Sequence, residues 1–349
     1  MNNDNQNESD ETIQLQKFEE QAEQLIQSLE KVKFMGSKVE IVKYQNFWCR
    51  AQGLKSILHY QYHFKARDSD IIIGSLPKSG TTWLKSLIFT IVNRLNPDHH
   101  PFKQNSPLLS HNPHELVYFL ENGVYGGNPK LPTPLQLQQL PTNSPRLLST
   151  HLPYASFPES IKSSSSCKIV YIARNPFDTF VSQWHWHSKL INNWGGDPEF
   201  ELPTMEDYFE DFCLGKFPVG PYFDHVIEFW KQSVKQPNKV LFLKYEDLKG
   251  DYAVLNLKKL AEFVGFPFSN QEESEGVIND IMELCCINNL KELEVNKSGF
   301  MHKLIENKYY FRKGEVGDWT NHFTPSMVER IENLIQENFR DIDLSFKMQ

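Results

Sequence analysis

The chain has 349 residues, a formal net charge of −8, and 40% apolar and 13% aromatic residues. That is enough apolar material for one large core, while the acidic balance argues against a broad nucleic-acid-binding face and leaves room only for a small anion met by clustered cations. The five cysteines are odd in number and lack metal-pair or redox-pair spacing, the start MNNDNQNESDE has no signal-peptide character, and no apolar run reaches the roughly 18 residues of a membrane span, so a cytoplasmic protein with reduced thiols and no membrane partner is expected.

Residues 1–11 are expected to be disordered. Thr12–Lys31 is expected to be a helix with Leu15, Phe18, Ala22, Leu25, Ile26 and Leu29 on one side. It is acidic and rich in glutamine, which suits a loosely docked extension. The domain division is therefore 1–40 for the extension and 41–349 for the main domain. Aromatic residues recur from Ile41 to Phe64 as core or groove wall.

The strongest pattern follows. Ile71, Ile72 and Ile73 form the β-branched run of a buried parallel strand. Leu76–Thr82 is a polar loop with one lysine, Lys78, and one glycine, Gly80. Trp83, Leu84, Leu87, Ile88, Ile91 and Val92 then recur at helical spacing. A strand, a glycine-bearing loop and a helix present backbone N–H groups to an anion, which points to a nucleotide phosphate. The order is not that of the Walker A loop, because Lys78 precedes Gly80.

Residues 96–145 are rich in proline, asparagine and glutamine and read as a long irregular excursion, with a short helical patch near Glu115–Glu121. Long loops of this kind are often functional, here as an acceptor wall. Arg146–Thr150 is a short strand ending at His151. Lys168–Ala173 is a strand that leads through Arg174 into a helix over Thr179–Leu190, with Pro176 at its start. Val240–Leu248 is a further strand with its exit turn, and Tyr245 falls at its carboxyl end. Helices follow over Ala253–Val264 and Gly276–Leu284, and Leu284–Lys291 reads as a helix end and exit. Tyr309–Trp319 is a loop carrying Arg312 and Lys313, and Pro325–Phe339 is the last helix. Strands that deliver polar residues to one rim predict a single α/β domain, a central parallel sheet flanked by helices on both faces. Ligands bind such sheets beyond the carboxyl ends of the strands.

Four motifs stand in order along the chain: P-K-S-G-T-T-W from Pro77 to Trp83, T-H-L-P from Thr150 to Pro153, R-N-P-x-D-x-x-x-S from Arg174 to Ser182, and R-K-G-x-x-G-D-W from Arg312 to Trp319. Together they resemble the cytosolic sulfotransferase family, its plant branch most, over residues 45–345. The resemblance implies a P-loop-like 5'-phosphosulfate loop, the donor 3'-phosphoadenosine 5'-phosphosulfate, transfer of its sulfuryl group to a hydroxyl, and no metal. Lys78, Ser79, Gly80, Thr81 and Thr82 would wrap the 5'-phosphosulfate. Arg174, Ser182 and the Arg312-Lys313-Gly314 loop would clamp the 3'-phosphate. Trp83 would stack on adenine, Tyr245 would contact the nucleotide, and Ile287 and Leu290 would give aliphatic packing beside the base. His151 would take the acceptor's proton. Lys78 would stabilise the leaving oxygen, with Ser79 helping to hold it until the acceptor binds.

The chain departs from that family in places. Ser149 stands where animal members often have a lysine two residues before the histidine, and Cys286-Ile287 stand where Ser-Phe is usual. The segment Thr320–Glu329 lacks the lysine and valine of the animal dimer motif, so a monomer is expected. Phe119, Tyr154 and Trp186 would line the acceptor pocket, an aromatic slot suited to flat phenolics such as flavonols. Steroid, hydroxyjasmonate and desulfoglucosinolate acceptors stay open. His185 and His187 alternate with tryptophans without the i, i+4 spacing of a helical metal pair. The alternatives from other classes are a magnesium-dependent nucleotide kinase and a catalytically silent nucleotide-binding protein.

Overall fold

The computed structural model describes residues 17–95, 106–195, 203–302 and 305–348. The expectations for residues 1–11 and for the start of the first helix lie outside them.

The β-branched runs become a five-stranded parallel sheet. Its strands are β4 (Ile71–Ser75), β5 (Tyr118–Phe119), β6 (Leu147–Thr150), β7 (Lys168–Ala173) and β8 (Val240–Lys244), in the spatial order β5-β6-β4-β7-β8. Ile71 pairs with Leu147 on one side and Lys168 on the other. Asp70 and Arg146, just ahead of β4 and β6, form a buried two-point ion pair with contacts of 2.7 and 2.5 Å. Removing one partner of such a pair costs about 3–5 kcal/mol, because the other charge stays buried.

Both faces of the sheet are covered, since alternate residues serve opposite cores. Ile72, Leu148, Ile169 and Tyr171 join one cluster with helix α1 (Leu54–His63) and helix α5 (Tyr222–Lys235). Ile71, Ile73, Val170 and Leu243 join the other with helix α2 (Thr81–Asn93). Each fully buried Ile or Leu contributes about 1.5–3 kcal/mol of transfer free energy. Helices α3 (Pro176–Gly195) and α4 (Met205–Cys213) follow β7, and α6 (Pro325–Phe339) closes the chain.

Two segments differ from the sequence expectations. Within the excursion, Pro107–Leu109, Pro113–Leu116, Leu120–Val124 and Pro134–Gln139 are helical turns, and Tyr118–Phe119 is the edge strand of the main sheet. Asparagine and threonine caps at Asn112 and Thr133, each followed by proline, build order where composition suggested irregularity. The N-terminal helix covers residues 17–28. Ala22 is buried, and Glu19 contacts both Lys55 and His59 of α1 at 2.8 Å. The small antiparallel sheet β1 (Lys31–Lys33), β2 (Glu40–Tyr44) and β3 (Phe47–Arg50) pairs residues 31–33 with 40–42, across position 40. This segment is thus tied to the main domain by strand pairing as well as by packing.

Candidate active site

Of the eighteen residues singled out from the sequence, all but Ser79, Tyr154, Leu290 and Lys313 line one cavity of about 580 Å³ at the carboxyl ends of the strands. The loop after β4 forms its floor. Gly80 has φ +111°, and a Cβ there would lie 2.7 Å from the Tyr245 ring and 2.9 Å from Ile172. Only glycine fits that close approach. Lys78 itself has φ +68°, a left-handed conformation that costs a non-glycine residue energy and is kept where the surroundings over-determine it. Helix α2 begins at Thr81 with no side-chain cap, so its first N–H groups face the cavity end of the loop.

His151 extends from the end of β6. Its Nδ1 lies 2.6 Å from the Ser75 carbonyl oxygen. A carbonyl only accepts, so Nδ1 carries the proton and Nε2 keeps its lone pair. Burial lowers the ring's pKa to about 3, against the opposing Ser75 bond. The imidazole is therefore neutral and able to accept a proton at Nε2. Two further groups hold it. Glu121 accepts the His151 backbone N–H at 2.6 Å, and His225 Nε2 donates to the His151 carbonyl at 3.0 Å. The Phe119 ring lies 4.9 Å from the imidazole.

Lys78 Nζ donates to the Tyr309 carbonyl at 3.3 Å and sits 4.3 Å over the Trp186 ring. Burial pushes its pKa to about 7, with help from the cations Arg312, Lys189 and Arg174. Such a lysine gains from a bound anion, which restores the charged form. Ser79 does not hold it: the Ser79 side chain is buried and its Oγ has no partner. The Tyr309 carbonyl and the Trp186 indole are the groups its ammonium meets.

A second cluster of cations lies across the rim. The Arg174 guanidinium bonds the Glu315 carbonyl and stacks 4.8 Å over the Tyr245 ring. Tyr245 in turn donates to the Gly314 carbonyl at 2.7 Å. Arg312 and Lys313 both reach Asp318 at 2.6 Å. Burial alone would raise the Asp318 carboxyl, but Lys313 and Arg312 hold it well below its usual range. Asp178, buried in the first turn of α3, accepts the backbone N–H groups of Gly317 and Trp319 at 2.9 and 3.1 Å. It thereby anchors the Arg312 loop to the strand end that carries Arg174. Gly314 has φ +67°, and a Cβ there would meet Ile287 at 2.9 Å, so that wall of the cavity is closed by aliphatic contact.

The four residues outside the lining have physical reasons. The Tyr154 ring packs against Phe157 and Phe229 at 5.6 and 5.9 Å, and its hydroxyl accepts from Gln236. It is core, which corrects its expected place in the acceptor pocket. Leu290 is fully buried in the short helix Ile287–Glu292. Lys313 points along the surface to Asp318 and is 47% exposed. Ser79, within the loop, is buried.

Sequence reasoning passed over Lys85, His114 and Glu121, which also line the cavity. Burial raises the Glu121 carboxyl to about 7, and burial lowers the Lys85 ammonium to about 7. The signal was present in Lys85, a charged residue between the buried Leu84 and Leu87 of an apolar helix. Gln183 of α3 was missed as well. It donates to the Pro77 carbonyl at 3.1 Å and supports the loop from the other side.

The buried Ser79 Oγ, Trp83 Nε1, Arg174 Nε and Arg312 Nε have no hydrogen-bond partner. Buried polar atoms without partners are costly, and three of these, on Trp83, Arg174 and Arg312, belong to residues that line the cavity. Such a donor set fits a nucleotide carrying phosphate at both ends. Among the described residues, no group of three or more His, Cys, Asp or Glu is arranged around a metal position. No helix among them is long and apolar enough to cross a membrane.

Residues 68–343 match the sulfotransferase domain family. Cytosolic sulfotransferase 1 of Arabidopsis thaliana is 44% identical over 327 residues, covering 94% of this chain and 95% of the relative. Cytosolic sulfotransferase 12 of the same plant is 45% identical over 311 residues, 88% of each chain. Among solved structures, an Arabidopsis thaliana protein described as a steroid sulphotransferase superposes with a TM-score of 0.69 at 38% identity, covering 93% of this chain and 94% of that one. A mouse sulfotransferase complexed with PAP, covering 87% of this chain and 95% of its own, gives 0.65 at 28% identity.

Proposed function

The chain belongs to the sulfotransferase family, and on that premise we propose that it moves a sulfuryl group from 3'-phosphoadenosine 5'-phosphosulfate to a hydroxyl of a small plant metabolite. The observation that carries this reading is the one cavity that brings Lys78 and His151 together with Trp83, Arg174 and Arg312, each of which carries an unpartnered buried donor. The relative solved with PAP bound supports the same nucleotide here.

The donor, when bound, supplies the sulfuryl group and a phosphate leaving group. Lys78, Gly80, Thr81 and Thr82, with the open N-terminus of α2, hold its 5' end, and Ser79 of the same loop has a buried, unpartnered hydroxyl to offer. Arg174, Ser182 and the Arg312-Lys313-Gly314 loop hold the 3'-phosphate. Trp83, Tyr245 and Ile287 enclose the base, with Leu290 packed behind them. His151 Nε2 accepts the proton of the acceptor hydroxyl, and the Ser75 carbonyl stabilises the imidazolium that forms through Nδ1–H. Lys78 Nζ offers positive charge where the leaving oxygen develops its negative charge, as in phosphoryl transfer. Phe119 and Trp186 flank the acceptor, which favours a flavonoid or another flat phenolic. A steroid is the second reading, because one of the similar solved structures is described as a steroid sulphotransferase.

Nucleotide titration tests the donor assignment. Adenosine 3',5'-bisphosphate should bind, and Arg312→Ala should weaken it about 10- to 100-fold, the worth of charge-assisted hydrogen bonds. Adenosine 5'-monophosphate, which lacks the 3'-phosphate, should lose little. Equal losses for both nucleotides would remove the 3'-phosphate from this loop. We further propose that the protein is a monomer, with residues 41–349 as the sulfotransferase domain and residues 1–40 as its extension. Size-exclusion with light scattering should give about the 40.8 kDa of one chain, and a stable dimer would overturn that proposal.

A further inference from the structure

Lys85 is fully buried on α2, among leucines and isoleucines that belong to the core. A lysine almost never occupies such a place unless its ammonium is paired or put to use. Leucine or methionine would fill the same volume without a desolvation penalty. Its Nζ lies 3.0 Å from the Val117 carbonyl and 3.0 Å from His114 Nδ1. An ammonium only donates, so His114 Nδ1 is the acceptor and the imidazole proton sits on Nε2. That Nε2 lies 3.0 Å from Thr82 Oγ1. The Thr82 oxygen therefore accepts from His114, and its own hydroxyl hydrogen is free to turn toward the cavity that Thr82 lines.

The ring between the two ends is fixed. His114 is buried, its ring lies tilted against Tyr310 with centroids 4.1 Å apart, and its backbone N–H bonds the Asn112 side chain at 3.0 Å. Burial, then the neighbouring Lys85 charge, keep the imidazole neutral. Hydrogen bonds in such a chain polarise one another, and the effect is larger in a site of low dielectric.

Resting on the donor reading, we propose that Lys85 and His114 form a buried hydrogen-bonded relay that aims the Thr82 hydroxyl at the 5'-phosphate of the nucleotide. Both are positioning residues that act through Thr82. The relay supplies a polarised neutral donor at the loop without adding a further exposed charge.

Lys85→Met keeps the volume and removes the ammonium. Calorimetric titration compares adenosine 3',5'-bisphosphate with adenosine 3'-monophosphate, which has no 5'-phosphate for Thr82 to meet. The variant should bind the bisphosphate about tenfold more weakly, the worth of one strengthened hydrogen bond to a charged group, and the 3'-monophosphate within about twofold of the unmodified protein. In a Thr82→Val background, the same Lys85 substitution should cost nothing more, because coupled residues are not additive. His114→Phe leaves Lys85 bonded to Val117 and cuts only the link to Thr82. It should show the same selectivity, and it decides the matter if Lys85→Met does not fold. Equal losses for both nucleotides, no loss for either, or an additive double variant would overturn the relay. An unmodified protein that binds neither nucleotide would overturn the donor reading itself, and the relay with it.

Discussion

His151→Asn should cut turnover about 100- to 10,000-fold, the span expected for losing a positioned general base, while binding adenosine 3',5'-bisphosphate within about threefold of the unmodified protein. Asparagine separates two roles. Its side-chain amide can still donate to the Ser75 carbonyl, which His151 Nδ1 meets at 2.6 Å, but it carries no counterpart of Nε2. The Glu121 and His225 contacts are made to the His151 backbone and survive the substitution. A fall in turnover without a fall in nucleotide affinity therefore reports lost chemistry and not a collapsed site. Retained turnover in the variant would sink the proton-accepting role.

The second large effect is at Lys78. Lys78→Met should lower kcat about 100- to 1,000-fold, comparable to removing one preorganised donor from a developing oxyanion. The acceptor KM should change little, because the charge is needed at the leaving oxygen. The thermal midpoint should stay the same or rise. Burial and the cations Arg312, Lys189 and Arg174 already push this ammonium down to about 7. Deleting a charge that the nucleotide-free fold disfavours relieves repulsion while activity falls. The left-handed backbone at Lys78 is unaffected, since methionine is no more branched than lysine. A variant that loses stability and activity together would point to a structural lysine instead.

The frame of this protein was legible wherever sequence pattern and local physics agree. The Ile71–Ile73 run, the Lys168–Ala173 strand and the Pro325–Phe339 helix all stand where periodicity puts them. Each combines an apolar pattern with a clear stop or cap. The two-residue edge strand Tyr118–Phe119 carries no period of its own. It exists because β6 offers an unpaired edge, which is a tertiary fact. Tyr154 illustrates a different limit. A lone aromatic close in sequence to His151 has no readable direction, and its ring turns to Phe157 and Phe229.

Within the site, charged residues in short motifs were readable because loops bring glycine and cations together at strand ends. Lys85 showed only as a charge inside an apolar helix, and His114 and Glu121 not at all, because their meaning lies in who meets whom in the interior. His114 is 29 residues from Lys85 in the chain yet 3.0 Å away in space. Asp178 sits inside a motif, but only the structure shows it holding the Gly317 and Trp319 amides and so joining the Arg312 loop to the helix that follows Arg174.

Incubation of the purified protein with sulfur-labelled 3'-phosphoadenosine 5'-phosphosulfate and a panel of hydroxylated flavonoids, steroids and hydroxyjasmonates tests the central claim most directly. Label should appear on at least one acceptor, at a rate unchanged by a magnesium chelator, and the acceptors ranked by kcat/KM should identify the pocket's true occupant. A protein that binds adenosine 3',5'-bisphosphate but labels nothing across the panel, or one whose activity vanishes with the chelator, would contradict it.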